Sequence, residues 1–326
     1  MVSKQKILIC GATGFIGRNL VVQLSKISQY KITAVYHKRP AFHCDNVEWV
    51  YADLTNKQDV EKIVDSQDVI IQAAATTSGA KDIATRPMIH VTDNMIINSL
   101  IFRAAHEANV AHVLFFSCTV MYQTSNIPLK ESDLDLNNPL YSKYFGVGWM
   151  KISTEKQCEF YASLGKTKYT VMRHSNIYGP HDKYDLEHSH FFGATITKVM
   201  TAEDEIVVWG SGEEARDLLY IDDLASFVTL AIEKQTAPFG LYNVGYGEAF
   251  AVKDVVAKIV EHSNKQLVIK HDLTKPTMKT SLCLDCSKAK SELGWQRKTS
   301  LDSGIQKTLS WYKANMLTEL KESLNE

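Results

Sequence analysis

The chain has 326 residues and a formal net charge of -1, with 45% apolar and 22% charged residues. That balance supports a full hydrophobic core and argues against disorder, nucleic-acid binding driven by a global field, and attachment to an anionic membrane. No apolar run reaches membrane-spanning length, no signal-peptide pattern opens the chain, and Cys10, Cys44, Cys118, Cys158, Cys283 and Cys286 have no framework spacing, so a soluble, reduced, cytoplasmic protein is expected.

The first element is a strand at Ile7–Cys10 that enters the turn Gly11-Ala12-Thr13-Gly14-Phe15-Ile16-Gly17 and passes at once into a helix near Phe15–Ser28. A parallel strand feeding a helix in this way presents N-terminal amides to an anion. Gly11 suits a tight turn, Gly14 lets backbone approach a pyrophosphate, and Gly17 lets the helix pack close on the strand. Further strands are expected at Ile32–Tyr36, Val47–Tyr51, Val69–Gln72, Val113–Ser117 and Tyr169–Arg173. Helices are expected near Lys57–Asp65, Asn94–Asn109 and Trp149–Leu164. The alternation predicts an α/β fold with a Rossmann-type, doubly wound parallel sheet. Beyond Gly179-Pro180 the pattern loosens, with helices expected at Phe192–Met200, Asp222–Glu233, Val252–His262 and Leu301–Met316. The expected division is a dinucleotide-binding domain over 1–179, with 217–240 returning to it, and a smaller mixed substrate region over 180–326.

An acid ending the second strand would bond the ribose 2′-hydroxyl of NAD and repel a phosphate. This chain instead carries His37, Lys38 and Arg39, so NADP is the expected cofactor, against the alternative of a solvated basic turn. Asp53 and Leu54 follow the third strand, where a carboxylate reaches toward the adenine amino group. Ala73, Ala74 and Ala75 after the fourth strand offer little bulk where a cofactor must pass, and Thr13, Phe15 and Ile16 complete the expected cofactor set. Arg216 suits a bidentate grip on a diphosphate, the competing reading being an ion pair with Glu213 or Glu214. His188 and His190 have no carboxylate or Cys at ligand spacing, so no metal is expected, and the single pair Cys283 and Cys286 does not change that.

With Asn176-Ile177-Tyr178-Gly179-Pro180 and Arg216-Asp217-Leu218-Leu219-Tyr220-Ile221-Asp222-Asp223 added to the glycine turn, the chain resembles the extended short-chain dehydrogenase/reductase family that modifies nucleotide sugars. The likeness runs from Ile7 to about Tyr312. Gly179-Pro180-His181-Asp182-Lys183-Tyr184, Ser189-His190 and Val208-Trp209-Gly210-Ser211-Gly212 are most similar to the GDP-L-fucose synthase branch. The resemblance implies NADPH-dependent 3,5-epimerisation and 4-reduction of a GDP-linked 4-keto deoxy sugar. It implies substrate contacts from Asn176, His190, Lys198, Trp209 and Arg216, and a homodimer in which Asn94–Asn109 and Trp149–Leu164 pair into a four-helix bundle.

The family's catalytic pattern is a Ser or Thr after the fifth strand and Tyr-x-x-x-Lys on the next helix. Lys151 matches the Lys, whose implied partner is the nicotinamide ribose, but four residues earlier stands Val147, which has no proton to give. Cys118 stands at the serine position with Thr119 beside it, Val120 at the epimerase-cysteine position, and His190 at that of its partner histidine. Tyr144 shares a face with Lys151 at i and i+7, yet that spacing is about 10 Å of axial rise, so His190 is the expected donor. Three readings follow: an enzyme with an atypical proton donor, a catalytically silent regulatory or partner subunit that binds NADP and a nucleotide sugar, or a retained fold alone. The glycine turn, Lys151, His190 and Arg216 count against the third, and between the first two the enzyme is favoured because a helix-N-terminal anion site and a cofactor-binding Lys have little structural use without a bound nucleotide.

Overall fold

Ile7, Leu8, Ile9 and Cys10 are all fully buried, as an unbroken apolar run becomes when both faces of a parallel strand are covered. The computed structural model describes residues 4–76, 86–186, 189–275 and 281–323. The first half runs β1 (Gln5–Cys10), α1 (Phe15–Leu24), β2 (Tyr30–Tyr36), β3 (Val47–Tyr51), α2 (Lys57–Val64) and β4 (Val69–Gln72). It continues with α3 (Thr92–Glu107), β5 (His112–Cys118), α4 (Phe145–Ser163), β6 (Lys168–His174) and β7 (Asn176–Tyr178). Next come α5 (Phe191–Thr201), β8 (Glu205–Trp209), β9 (Ala215–Tyr220), α6 (Ile221–Lys234) and β10 (Phe239–Val244). The last elements are β11 (Ala249–Ala251), α7 (Val252–Ser263), β12 (Val268–Asp272), α8 (Ser287–Leu293) and α9 (Leu301–Ser323).

Seven strands form one parallel sheet in the order β10-β6-β5-β4-β1-β2-β3. Alternate residues of β1 serve different cores. Ile7 and Ile9 pack with Leu20, Leu24, Leu224 and Phe227 of α1 and α6, while Leu8 and Cys10 pack with Val60, Ile101, Phe102 and Cys158 of α2, α3 and α4. The chain leaves this sheet after β6 and returns to it at β10, which pairs with β6. Between them β7, β9 and β11 make a three-stranded mixed sheet, and β8 pairs with β12 in parallel. Among the described residues, no helix is long and apolar enough to cross a membrane.

Several helix boundaries differ from the sequence expectation: α9 runs on to Ser323 rather than Met316, α3 spans Thr92–Glu107 rather than Asn94–Asn109, and α1 and α4 differ by a turn. α1 stops at Leu24 rather than Ser28, because Ile27 N–H bonds the Leu24 carbonyl and turns the chain toward β2. α4 starts at Phe145 rather than Trp149. Gly146 and Gly148 weaken helix propensity there, but a tight turn over Ser142–Tyr144 starts the winding and Leu140 packs onto Gly148. A Cβ at Gly148 would lie 2.7 Å from Leu140 Cδ1, so the glycine is what admits that contact.

Candidate active site

The carboxyl ends of β1, β2, β4, β5 and β6 form the sheet edge at which open α/β folds bind ligands. At the end of β1, Gly11 takes a left-handed conformation at φ +74°, and a Cβ there would sit 2.7 Å from Ala74 Cα. A Cβ at Gly17 would collide with the Gly11 carbonyl oxygen, so α1 presses directly on the strand end. Gly14 is the N-cap of α1, and among the described residues neither a side-chain cap nor an acid occupies its first turn. The first-turn amides at Phe15 and Ile16, with Thr13 beside them, therefore suit an anion such as a pyrophosphate. The residues fit a dinucleotide.

Beyond β2, His37, Lys38 and Arg39 are exposed, and His37 Nε2 lies 3.9 Å from Asp53 Oδ2. Asp53 Oδ1 accepts from the Thr55 hydroxyl at 2.7 Å and the Thr55 N–H at 2.9 Å. Those two bonds, then the charges of His37 and Lys38, hold the Asp53 carboxyl below its usual range. Leu54 packs into the core. Ala73, Ala74 and Ala75 follow β4, with Ala73 N–H bonded to the Cys10 carbonyl, so they lie directly alongside the glycine turn.

β5 ends at Cys118, which is partly exposed, as are Thr119 and Val120. Lys151, in the second turn of α4, donates to the Phe116 carbonyl at 2.7 Å and lies 4.9 Å from the centre of the Phe115 ring. Burial lowers the Lys151 pKa and raises that of the Cys118 thiol, while the lysine's charge pulls the thiol back down. Val147 lies in the first turn of the same helix, on the lysine's N-terminal side.

A cavity of about 260 Å³ opens at this strand end, lined among others by Thr119, Val120, Tyr141, Tyr144, Asn176 and Arg216. The sequence candidates Thr119, Tyr144, Asn176 and Arg216 thus share one wall system. Asn176 Nδ2 donates to the Asp217 carbonyl at 3.1 Å, and Arg216 Nη1 to the Ala215 carbonyl at 2.9 Å. Glu213 pairs with Lys253 at 2.7 Å. His190, Lys198 and Trp209 lie outside the described lining. His190 stands at the N-cap of α5; burial, and then the charge of Lys183, holds its pKa below the usual imidazole value. Lys198 donates to the Val207 carbonyl at 3.1 Å and lies 5.6 Å from the Trp209 ring, itself 52% exposed. His188 falls outside the described residues.

Three groups escaped the sequence reading. Glu155 and Arg173 form a buried ion pair at 2.7 Å that also takes the Ser117 hydroxyl at 2.5 Å and the Tyr122 hydroxyl at 2.9 Å. Removing either partner would strand a buried charge at a cost of about 3–5 kcal/mol. The signal was present, since an acid on an apolar helix face requires a partner. His174 is the cross-strand partner of Cys118; its Nδ1–H donates to the Ser175 carbonyl at 2.8 Å, and burial drops its pKa to about 4, leaving it neutral. Lys275 lies 5.9 Å from the Trp209 ring, on the loop after β12.

Known proteins share this fold and match over most of this sequence. GDP-L-colitose synthase of Yersinia pseudotuberculosis is 28% identical over 94% of this chain and 97% of its own. GDP-L-fucose synthase of Escherichia coli (strain K12) is 29% identical over 96% of this chain and 98% of its own. The UDP-glucose 4-epimerase of Thermotoga maritima, solved with UDP-glucose, superposes with a TM-score of 0.81 at 25% identity, covering 96% of this chain and all of that one. Residues 7–245 match the family model for NAD dependent epimerases and dehydratases, and the chain belongs to that family.

Proposed function

We propose that the protein is an NADP-dependent enzyme that reduces or epimerises a 4-keto nucleotide sugar, with a GDP-linked deoxy sugar as substrate. The observation that carries this reading is one cavity, at the carboxyl end of β5 in the same parallel sheet whose β1 ends in the glycine turn, that joins Thr119, Tyr144, Asn176 and Arg216. Bound at the glycine turn, the nicotinamide cofactor supplies the hydride chemistry. His37, Lys38 and Arg39 take the 2′-phosphate, Lys151 orients the nicotinamide ribose, and Arg216 grips the diphosphate. Lys198 and Trp209 form a cationic and aromatic surface suited to a purine base. Ile96 on α3 with Trp149 and Phe160 on α4 are exposed, which supports pairing of these helices across a homodimer.

A thermal-shift panel of GDP-, UDP-, CDP- and dTDP-sugars with NADPH tests the reading, because a ligand that binds only the native state raises its melting temperature. One GDP-sugar is expected to respond in the wild type and not in Arg216→Ala. No responder at millimolar concentration would sink the proposal.

A further inference from the structure

Val147 cannot donate a proton, but another acid faces the cavity. Tyr144 sits at the N-cap of α4, after the tight turn over Ser142–Tyr144, with φ −101° and ψ 5°. It is three positions from Val147, which is about one helical turn and roughly 5 Å along the axis, and positions so spaced share a face. The ring lines the cavity with Thr119, Val120 and Arg216, braced edge-on by Tyr141 at 5.6 Å. The 10 Å that separates Tyr144 from Lys151 along the helix is therefore not the relevant distance; what counts is reach to the ligand in the cavity.

The other candidates are less well placed. Thr119 lines the same cavity, but an aliphatic hydroxyl is a far weaker acid than a phenol. Lys151 is engaged with the Phe116 carbonyl, and His190 lies outside the described lining.

We propose that Tyr144 is the proton donor to the carbonyl oxygen of the keto sugar, acting from the N-terminus of α4 in place of residue 147; this rests on the function proposed above. In the reductive direction, the carbonyl carbon accepts a hydride from the reduced nicotinamide dinucleotide and the carbonyl π pair moves onto oxygen. That oxygen takes the Tyr144 hydroxyl proton, and bulk water restores the phenol. Burial opposes formation of the phenolate, while the charge of Arg216 across the cavity favours it.

The full chain is assayed with NADPH and a GDP-linked 4-keto-6-deoxyhexose, and binding is measured by calorimetry. Tyr144→Phe is expected to lower kcat about 100-fold or more, with KM for the keto sugar nucleotide raised roughly tenfold and an unchanged melting temperature. It should also weaken binding of the keto sugar nucleotide by roughly tenfold while leaving the affinity for GDP alone unchanged, because only the sugar's oxygen loses a donor. If the wild type turns over and Tyr144→Phe keeps more than about half of its kcat, the assignment to Tyr144 is wrong while the enzyme reading stands. An equal affinity of the two proteins for the keto sugar nucleotide would likewise overturn it. If the wild type neither binds nor turns over any sugar nucleotide, the function itself falls, and this assignment with it.

Discussion

The glycine cradle around Gly11 and Gly17 and the cavity around Thr119 and Arg216 share one edge of the same sheet, yet they are built differently. The cradle is a backbone object: a Cβ at either glycine would run into main-chain atoms of Ala74 or Gly11, so no other residue gives this shape. The cavity is a side-chain object, bounded by threonine, tyrosines, asparagine and arginine. Around it Cys118, Val120 and Val147 replace the groups that the family resemblance implies, while α4 and Lys151 keep their places. A site made of backbone tolerates no substitution, whereas one made of side chains exchanges its chemistry while its walls remain.

The strongest way to break that comparison is Gly17→Val. The added side chain has no space against the Gly11 carbonyl, so a loss of about 3 kcal/mol or more is expected, along with loss of NADPH binding. Urea unfolding and calorimetry measure both, and a variant as stable as the wild type would show that the cradle is not backbone-limited. Lys38→Asp is the next largest. An acid beyond β2 repels a 2′-phosphate and bonds a free ribose hydroxyl, so NADPH affinity should fall roughly 10- to 100-fold while NADH affinity rises. Unchanged calorimetric affinities would leave the basic turn as mere solvated surface.

The smallest effect sharpens the contrast on the sugar side. Burial raises the Asp182 carboxyl to about 7, with Oδ1 accepting the Lys183 N–H at 2.7 Å. Its folded pKa lies above its unfolded value, so the native state binds more protons between about pH 4 and pH 7 and loses stability as pH rises through that window. Asp182→Asn keeps the acceptor and removes the charge. Its melting temperature should match the wild type near pH 4 and exceed it by a few degrees at pH 8, by calorimetric scans. A constant difference across that range would mean that Asp182 does not titrate there.

Much of this was already present in the order of residues. The run Ile7–Cys10 with glycines at 11, 14 and 17 determines a buried parallel strand and a close-packed helix, because both follow from local sterics. The same holds for Lys151 and Val147, whose relation depends only on a spacing of four. What only the tertiary structure decided were meetings between distant segments. Glu155 reaches Arg173 because α4 packs on β6, and His174 stands beside Cys118 because β6 pairs with β5 in that register. Tyr144 joins Thr119 and Arg216 because the turn at Ser142–Tyr144 and the contact of Leu140 with Gly148 set where α4 begins. Local spacing encodes shape along one segment, whereas proximity across segments is created by packing.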